Sequence, residues 1–315
     1  MVDRRDSVPS RWTLHGLNNG TIFRATYRGV GALPPWASHF LGRATTWLAW
    51  RLLPDTRAAI ADNLRALFPG ESQTTLERRA RIMLRAYADD VVDFIRALQA
   101  SEEELRTLFE YLPSEAEPFF RELDKGRGMI IVSGHYGNWE AGGIFLRRIT
   151  GLPVAVVAMP EPDPEVDRVR QEIRQLIGVD TIHVGQSLDT ALQIRRRIEQ
   201  NGIVAFLMDR PIGRDRVEVD FLGRRAFFLR TPVLMAFMTG APLMPCFTER
   251  AGDSRFVARA GEPIIVRRDR PRDEAIQAAA QAFADQLAAR VAAHPQYWYH
   301  FYRYWEHDGH EAVGR

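Results

Sequence analysis

The most constraining feature of this chain lies near its middle. The apolar run Met129-Ile130-Ile131-Val132 passes through Ser133-Gly134-His135-Tyr136-Gly137-Asn138-Trp139-Glu140 into a helical stretch, Ala141 to Arg148. A short β-branched run that ends in a glycine-bearing turn and re-enters as a helix opens a β–α unit. The texture recurs in the short apolar runs Val154–Met159, Ile203–Met208, Leu243–Thr248 and Phe256–Ala258. The stretches Val166–Ile177, Leu188–Gln200, Thr231–Thr239 and Ala275–Ala293 read as covering helices. The predicted fold is α/β, a mostly parallel central sheet flanked by helices with an N-terminal helical layer. In open sheets of this kind ligands bind at strand-to-helix junctions, which makes 133–140 a candidate site.

Upstream, the apolar period changes. Between residues 56 and 112, Ile60, Leu64, Leu67 and Phe68, then Leu76, Ile82, Met83, Tyr87, Val91, Phe94, Ile95 and Leu98 recur at helical spacing, punctuated by Pro69-Gly70. From Leu33 to Leu53 the chain places Trp36, Phe40, Leu41, Trp47, Leu48, Trp50 and Leu52 around Arg43 and Arg51, after Pro34 and Pro35. This stretch lacks the ~20 unbroken apolar residues of a spanning helix. Two readings fit it: a helix lying in the interface of an anionic membrane, or an amphipathic helix on the protein's own core. The expected division is a helical, membrane-associating region over 1–112 and an α/β domain over 113–315. The uncharged stretch Thr231–Thr248 is broken by Pro232, Gly240, Pro242 and Pro245 and is assigned to the core.

The chain has 42 basic and 40 acidic residues, which argues against nucleic-acid binding by bulk charge. Every basic residue except Lys125 is arginine, a bias that suits phosphate binding and that codon usage explains equally. The single cysteine, Cys246, excludes an intrachain disulfide and a cysteine-built metal cluster. The lone cysteine suggests a reducing compartment, and the first twelve residues carry charge where a signal peptide needs an apolar centre, so secretion by that route is not expected.

Gly134 and Gly137 let His135 sit in the turn while Glu140, in the first helical turn, points back toward it. A carboxylate–imidazole hydrogen bond is expected there, leaving the other ring nitrogen free as a general base. For an isolated pair, a capping histidine and a first-turn acid are the blander reading. The loop after the Ile203–Met208 run gathers Asp209, Arg210, Arg214, Arg216 and Arg230, whose forks suit phosphates or carboxylates, with Glu218 as a second carboxylate that could approach His135. The aromatic run from Tyr297 to Trp305 is expected to be mostly core, with Arg303 as its binding residue. His294, His300, His307 and His310 are expected to face solvent, and no metal site is expected. Neither a G-x-S-x-G elbow, a dinucleotide glycine motif nor a Walker A sequence occurs.

His135-Tyr136-Gly137-Asn138-Trp139-Glu140 resembles the histidine–four residues–acid motif of the glycerolipid acyltransferase superfamily. In this form it resembles the late acyltransferases of lipid A biosynthesis, the lauroyl and myristoyl transferase group. Three further blocks resemble that family in order: Asp62-Asn63-Leu64 through Phe68-Pro69; Asp209-Arg210-Pro211 with Val219-Asp220-Phe221-Leu222-Gly223; and His294-Pro295-Gln296-Tyr297-Trp298-Tyr299-His300. The resemblance implies a glycerolipid-acyltransferase-like fold and O-acyl transfer from acyl carrier protein or coenzyme A to a hydroxyl of a membrane glycolipid, such as a lipid A precursor of lipopolysaccharide. It implies a peripheral or monotopic place on the cytoplasmic face of the bacterial inner membrane, and no cofactor. By that resemblance His135 would be the base and Glu140 its orienting acid; the N–H groups at the helix start, Gly137, Asn138 and Trp139, are the oxyanion donors expected from geometry. The family usually carries a hydrophobic anchor helix where this chain has an arginine-interrupted segment. A phospholipid or aminolipid acceptor stays open, as does a lipid-binding protein on the same scaffold without turnover.

Overall fold

The computed structural model describes residues 20–161, 163–184, 189–252 and 255–305. Helices α1 (Gly20–Ala32), α2 (Pro35–Leu52), α3 (Pro54–Leu67) and α4 (Gln73–Gln99) precede any strand, and α5 (Glu102–Leu108) leads into β1 (Phe109–Tyr111). There follow α6 (Pro113–Leu123), β2 (Met129–Ser133), α7 (Trp139–Thr150), β3 (Val154–Ala158), α8 (Pro164–Leu176), β4 (Val179–His183), α9 (Asp189–Glu199) and β5 (Ile203–Leu207). A hairpin, β6 (Val217–Phe221) and β7 (Arg224–Phe228), precedes α10 (Thr231–Thr239), β8 (Leu243–Ala251), β9 (Arg255–Ala260), α11 (Arg272–Ala293) and a 3-10 turn, Pro295–Tyr297.

Local chemistry sets these boundaries. Pro35 and Pro54 open α2 and α3, where a missing N–H costs nothing. Ser72 and Ser101 cap α4 and α5, the latter through a reciprocal bond with Glu104. Gly151 ends α7 at φ 65°, a left-handed position that glycine adopts without strain.

The main sheet runs β1-β9-β8-β2-β5-β3-β4, parallel except for the β8–β9 pair. From β2 the chain moves outward through β3 and β4, returns to β5 at β2's side, and then crosses to β8 on β2's other flank. The connection order thus reverses around β2, and the carboxyl ends of β2 and β5 border the crevice. Alternation along β2 splits the core: Ile130 and Val132 pack with α9, α10, α11 and the hairpin, whereas Met129 and Ile131 face Phe119 on α6.

The helix α6, the strands β1 and β4, and the hairpin were not read from the sequence, and β1 falls within the 56–112 stretch expected to be helical. β1 has only three residues, too few for a period, and β4, an edge strand, carries only Val179 and Ile182 as apolar residues, without strand alternation. The hairpin alternates in burial along β6, and its two-residue turn, Leu222-Gly223, has φ of 56° and 73°, the primed geometry suited to tight hairpins. Thr231–Thr248 resolves into α10 and β8, and among the described residues no helix is long and apolar enough to cross a membrane.

Candidate active site

β2 and β5 pair in parallel with Ser133 beside Leu207, so the residues two places beyond each strand meet. These are His135 and Asp209. The imidazole Nδ1 lies 2.7 Å from Asp209 Oδ1, and the His135 backbone N–H donates to Oδ2 at 2.8 Å. His300, in the loop after the 3-10 turn, brings Nε2 to 2.8 Å from the same Oδ2. Asp209 and His300 are sealed from solvent, while His135 keeps 15% of its side-chain surface. The turn demands its glycines. A Cβ on Gly134 would sit 3.0 Å from Asp209 Oδ2, and one on Gly137, at φ 61°, would meet the Thr248 carbonyl oxygen at 2.0 Å.

The charge state follows from these contacts. Burial alone would raise the Asp209 carboxyl, but the two imidazoles reverse that and hold it well below the usual carboxylate range. Burial, with Arg210 nearby, pushes His135 down to about 4 against the pull of Asp209, and burial takes His300 to about 3. At neutral pH an ionised aspartate lies between two neutral imidazoles, each turning an N–H toward it. His135 then carries its hydrogen on Nδ1, and its Nε2 lone pair is free to accept a proton.

The expected Glu140–His135 bond is not formed. Glu140 is the second residue of α7, and its side chain turns toward α8, where Arg174 Nη2 donates to it at 3.1 Å and Arg170 stands 3.8 Å away. Burial raises the Glu140 carboxyl, but Arg174 and Arg170 outweigh it, so the net shift is downward. The expected oxyanion set also needs revision: Gly137 N–H already donates to Tyr297 O and Asn138 N–H to Thr248 O, both at 2.8 Å. Asn138 is buried, caps α7 through Ala141 N–H and donates to the Asp90 carbonyl, so its groups are committed to structure. Trp139 meets the His135 ring edge-on at 5.2 Å between centroids.

The arginine loop is dispersed. Arg210 stays beside the group, donating to the Tyr299 carbonyl at 2.8 Å with its guanidinium over Tyr302. Arg214 is exposed, Arg216 lies over Phe227, Glu218 pairs with Arg225 on the hairpin, and Arg230 pairs with Asp273. Arg303 reaches Asp62 at 3.1 Å. Those contacts lie on the hairpin, α11 and α3, apart from His135, because successive residues of β6 alternate between the core and water.

His300 reverses the expectation of solvent exposure, and His307 and His310 lie outside the described residues. His135, Asp209 and His300 bring their nitrogens and oxygens within 4.8 Å of one another, as metal ligands can. The two N···O separations, 2.7 and 2.8 Å, match N–H···O bonds and are shorter than the ~3.3 Å between ligand atoms around a tetrahedral ion.

Beneath the turn that carries His135 lies an apolar cavity of about 160 Å³, with Ser133 at its wall. It runs beneath α6 and α7 across the face of the sheet, where small residues (Ala205, Cys246, Ala258, Ala260) stand in place of larger core side chains. Phe119, Phe120 and Phe145 form its roof, and Trp139 and Glu140 belong to its wall, so the void reaches the residues next to His135. Cys246 faces it with a thiol that burial pushes up to about 12, too high for a nucleophile.

Sequence reading also missed a buried polar network. Asp89, Asp90 and Asp93 on α4 meet His39 from α2 and Arg250 from β8, and Tyr299 Oη donates to Asp90 Oδ2 at 2.6 Å. The hydrogen bonds that the His39 ring donates to Asp89 and Asp93 raise His39 to about 9, and burial raises Asp90 to about 7. The outer side of α2 instead shows Trp36, Phe40, Trp47 and Leu52 to solvent at 60–74% of their surface.

The chain matches the model of the bacterial lipid A biosynthesis acyltransferases over residues 12–307. It is 26% identical over 282 residues to a phosphatidylinositol mannoside acyltransferase of Mycolicibacterium smegmatis, covering 84% of this chain and 90% of that protein. It is 27% identical over 186 residues to a phosphatidylinositol mannoside acyltransferase of Mycobacterium tuberculosis, covering 58% of this chain and 56% of that one. With an α/β sheet and a match over nearly its whole length, the chain belongs to the bacterial lipid A biosynthesis acyltransferase family and is an acyltransferase.

Proposed function

We propose that the protein moves a fatty acyl group from a thioester, carried by acyl carrier protein or coenzyme A, to a sugar hydroxyl of a membrane glycolipid, with His135 as general base and Asp209 as the acid that orients it. The supporting observation is the 2.7 Å Nδ1–Oδ1 bond in the turn above an apolar cavity. His135 Nε2 removes the acceptor's hydroxyl proton as the oxygen attacks the thioester carbonyl carbon. The tetrahedral intermediate collapses, the C–S bond breaks, and the departing sulfur takes the proton back from the imidazolium. Asp209 stabilises that imidazolium while it exists, and the acyl chain lies in the cavity, whose apolar wall gains from excluding water.

The acceptor is a lipid A precursor or, as the names of the mycobacterial relatives suggest, a mannosylated lipid. Arg210 and Arg170 give this side of the site positive charge toward an anionic headgroup or donor phosphate. Attachment is peripheral, at the cytoplasmic face of the inner membrane. Trp36, Phe40 and Trp47 of α2 enter the interface while Arg51, stacked on Trp47 at 4.5 Å, meets lipid phosphates.

The test supplies radiolabelled palmitoyl-coenzyme A or palmitoyl-carrier protein with a membrane glycolipid extract and reads the acylated lipid by mass spectrometry. Wild type transfers the label from one donor and His135→Gln does not. Transfer by the variant at the wild-type rate overturns the assignment of the base. Lipid binding without transfer by wild type, with either donor, favours the lipid-binding alternative.

A further inference from the structure

We propose that His300 is a positioning residue for the acyl transfer, acting through Asp209, and that Asn63 holds the loop that delivers it; the inference rests on the reading of His135 as the base. His300 is fully buried between Trp298 and Tyr304, each ring centroid 4.6 Å away. Its Nε2 faces Asp209 Oδ2, and its Nδ1 lies 3.2 Å from the Tyr302 hydroxyl. Tyr302 O–H donates to Nδ1, which leaves the hydrogen on Nε2, directed at the carboxylate. Tyr304 Oη donates to the Asp209 backbone carbonyl at 2.9 Å, so one short loop grips both ends of that residue.

The loop is fixed by a single amide. Asn63 Nδ2 donates to the carbonyls of His300 and Tyr302, at 3.1 and 2.7 Å, and Asn63 Oδ1 accepts from Tyr304 N–H at 2.8 Å. The same strand of chain binds His135 directly, Tyr299 N–H donating to its carbonyl at 2.7 Å. Three of the sequence blocks singled out above, around Asn63, Asp209 and His300, thereby converge on the fourth at His135.

The consequence is a division of the aspartate's charge. Asp209 accepts three N–H bonds, two of them on Oδ2, and that pins its plane so that Oδ1 faces His135 Nδ1. The His300 bond also withdraws part of the carboxylate's pull on the proton that His135 acquires. The other charged groups acting on His135 are Arg210 and Arg170, with Glu140 beyond, and none of them changes with residue 300.

The experiment compares His300→Phe, His300→Gln and His135→Gln with wild type in the acyl-transfer assay across pH, with thermal melts as a folding control. Removing the donor in His300→Phe frees the carboxylate's charge for His135 and raises its proton affinity. The acid limb of kcat/KM is expected to move up by about one pH unit, with kcat down about 10- to 100-fold and KM within about threefold. Glutamine places an N–H near the Nε2 position and restores most of the rate. Where His300→Phe does not fold, His300→Asn replaces it, since its amide falls short of Asp209. A rate and acid limb like wild type in the Phe or Asn variant overturns the proposal, as does equal damage by Phe and Gln, which would mark a packing role. An inactive His135→Gln beside a wild-type-like His300 variant defeats only this inference, whereas an active His135→Gln defeats the reading beneath it.

Discussion

Replacing Asp209 with asparagine tests the site at the level of single hydrogens. Oδ2 receives two donors, the His135 backbone N–H, which cannot reverse its polarity, and His300 Nε2–H. The asparagine must set its carbonyl oxygen there, which puts its amide N–H at the Oδ1 position, 2.7 Å from His135 Nδ1 in the parent. The imidazole can meet that N–H only by moving its own hydrogen to Nε2, and the base is then blocked. Keeping the productive tautomer sets two buried donors against each other, costing about 1–3 kcal/mol, and forfeits a charge-assisted bond of about 1.5–3 kcal/mol. Together these span roughly 2.5–6 kcal/mol, a kcat loss of about 10²–10⁴ at nearly unchanged KM. Initial rates of acyl transfer at saturating donor and acceptor measure it, with a melt to show the fold intact. A folded Asp209→Asn enzyme within threefold of wild type would refute the tautomer argument and the role given to Asp209.

Other outcomes follow from contacts described above. Glu140→Gln strands Arg174, only 12% exposed, and is expected to lower stability in urea by about 3 kcal/mol while moving the acid limb of kcat/KM less than His300→Phe does, because residue 140 acts on His135 through charge at a distance and not through a hydrogen bond. Gly137→Ala forces a Cβ against the Thr248 carbonyl at positive φ and should cost about 2–4 kcal/mol or prevent folding, as a urea midpoint or soluble yield will show. His39 is raised from 6.5 to about 9, so its stabilisation is complete below pH 6.5 and lost as pH climbs through 9. Allowing for screening, about 2 kcal/mol should disappear between pH 7 and 10 in urea titrations, and His39→Gln should abolish that difference. A Trp36→Ala/Trp47→Ala pair is expected to reduce sedimentation with anionic vesicles at least about tenfold and leave thermal stability unchanged, since both indoles are exposed.

The sequence made legible what local pattern governs. The β2 run, its glycine turn and α7 fell where the apolar run and the helical stretch placed them, and the prolines of Thr231–Thr248 separated α10 from β8 as expected. The identity of the acid beside His135 was not local. Glu140 was the nearest carboxylate along the chain, but which acid meets the imidazole depends on β2 and β5 being neighbours with Ser133 opposite Leu207. Asp209 had stood out as the head of an arginine-rich loop and of a family-like block, not as the partner of His135. His300 was hidden by its setting, since a histidine among tyrosines and tryptophans near the end of a chain carries no periodic mark of burial. Its role depends on Asn63, more than two hundred residues earlier. Asp89, Asp90 and Asp93 drew no reading from the sequence, because their partners Arg250 and His39 lie on distant elements that only the fold brings against them.

The loop held by Asn63 also bears on when the molecule can begin to work. A nascent chain grown as far as α11 already has the sheet strands, the glycine turn and the Asp209 carboxylate, yet nothing braces that carboxylate from behind and the His135 carbonyl lacks its Tyr299 partner. Competence arrives only with the last described stretch, when an early helix clasps a late one-turn loop. On the reading proposed above, a copy that stops at α11 lacks both braces at once, and it is expected to transfer acyl groups no faster than the His300→Phe variant.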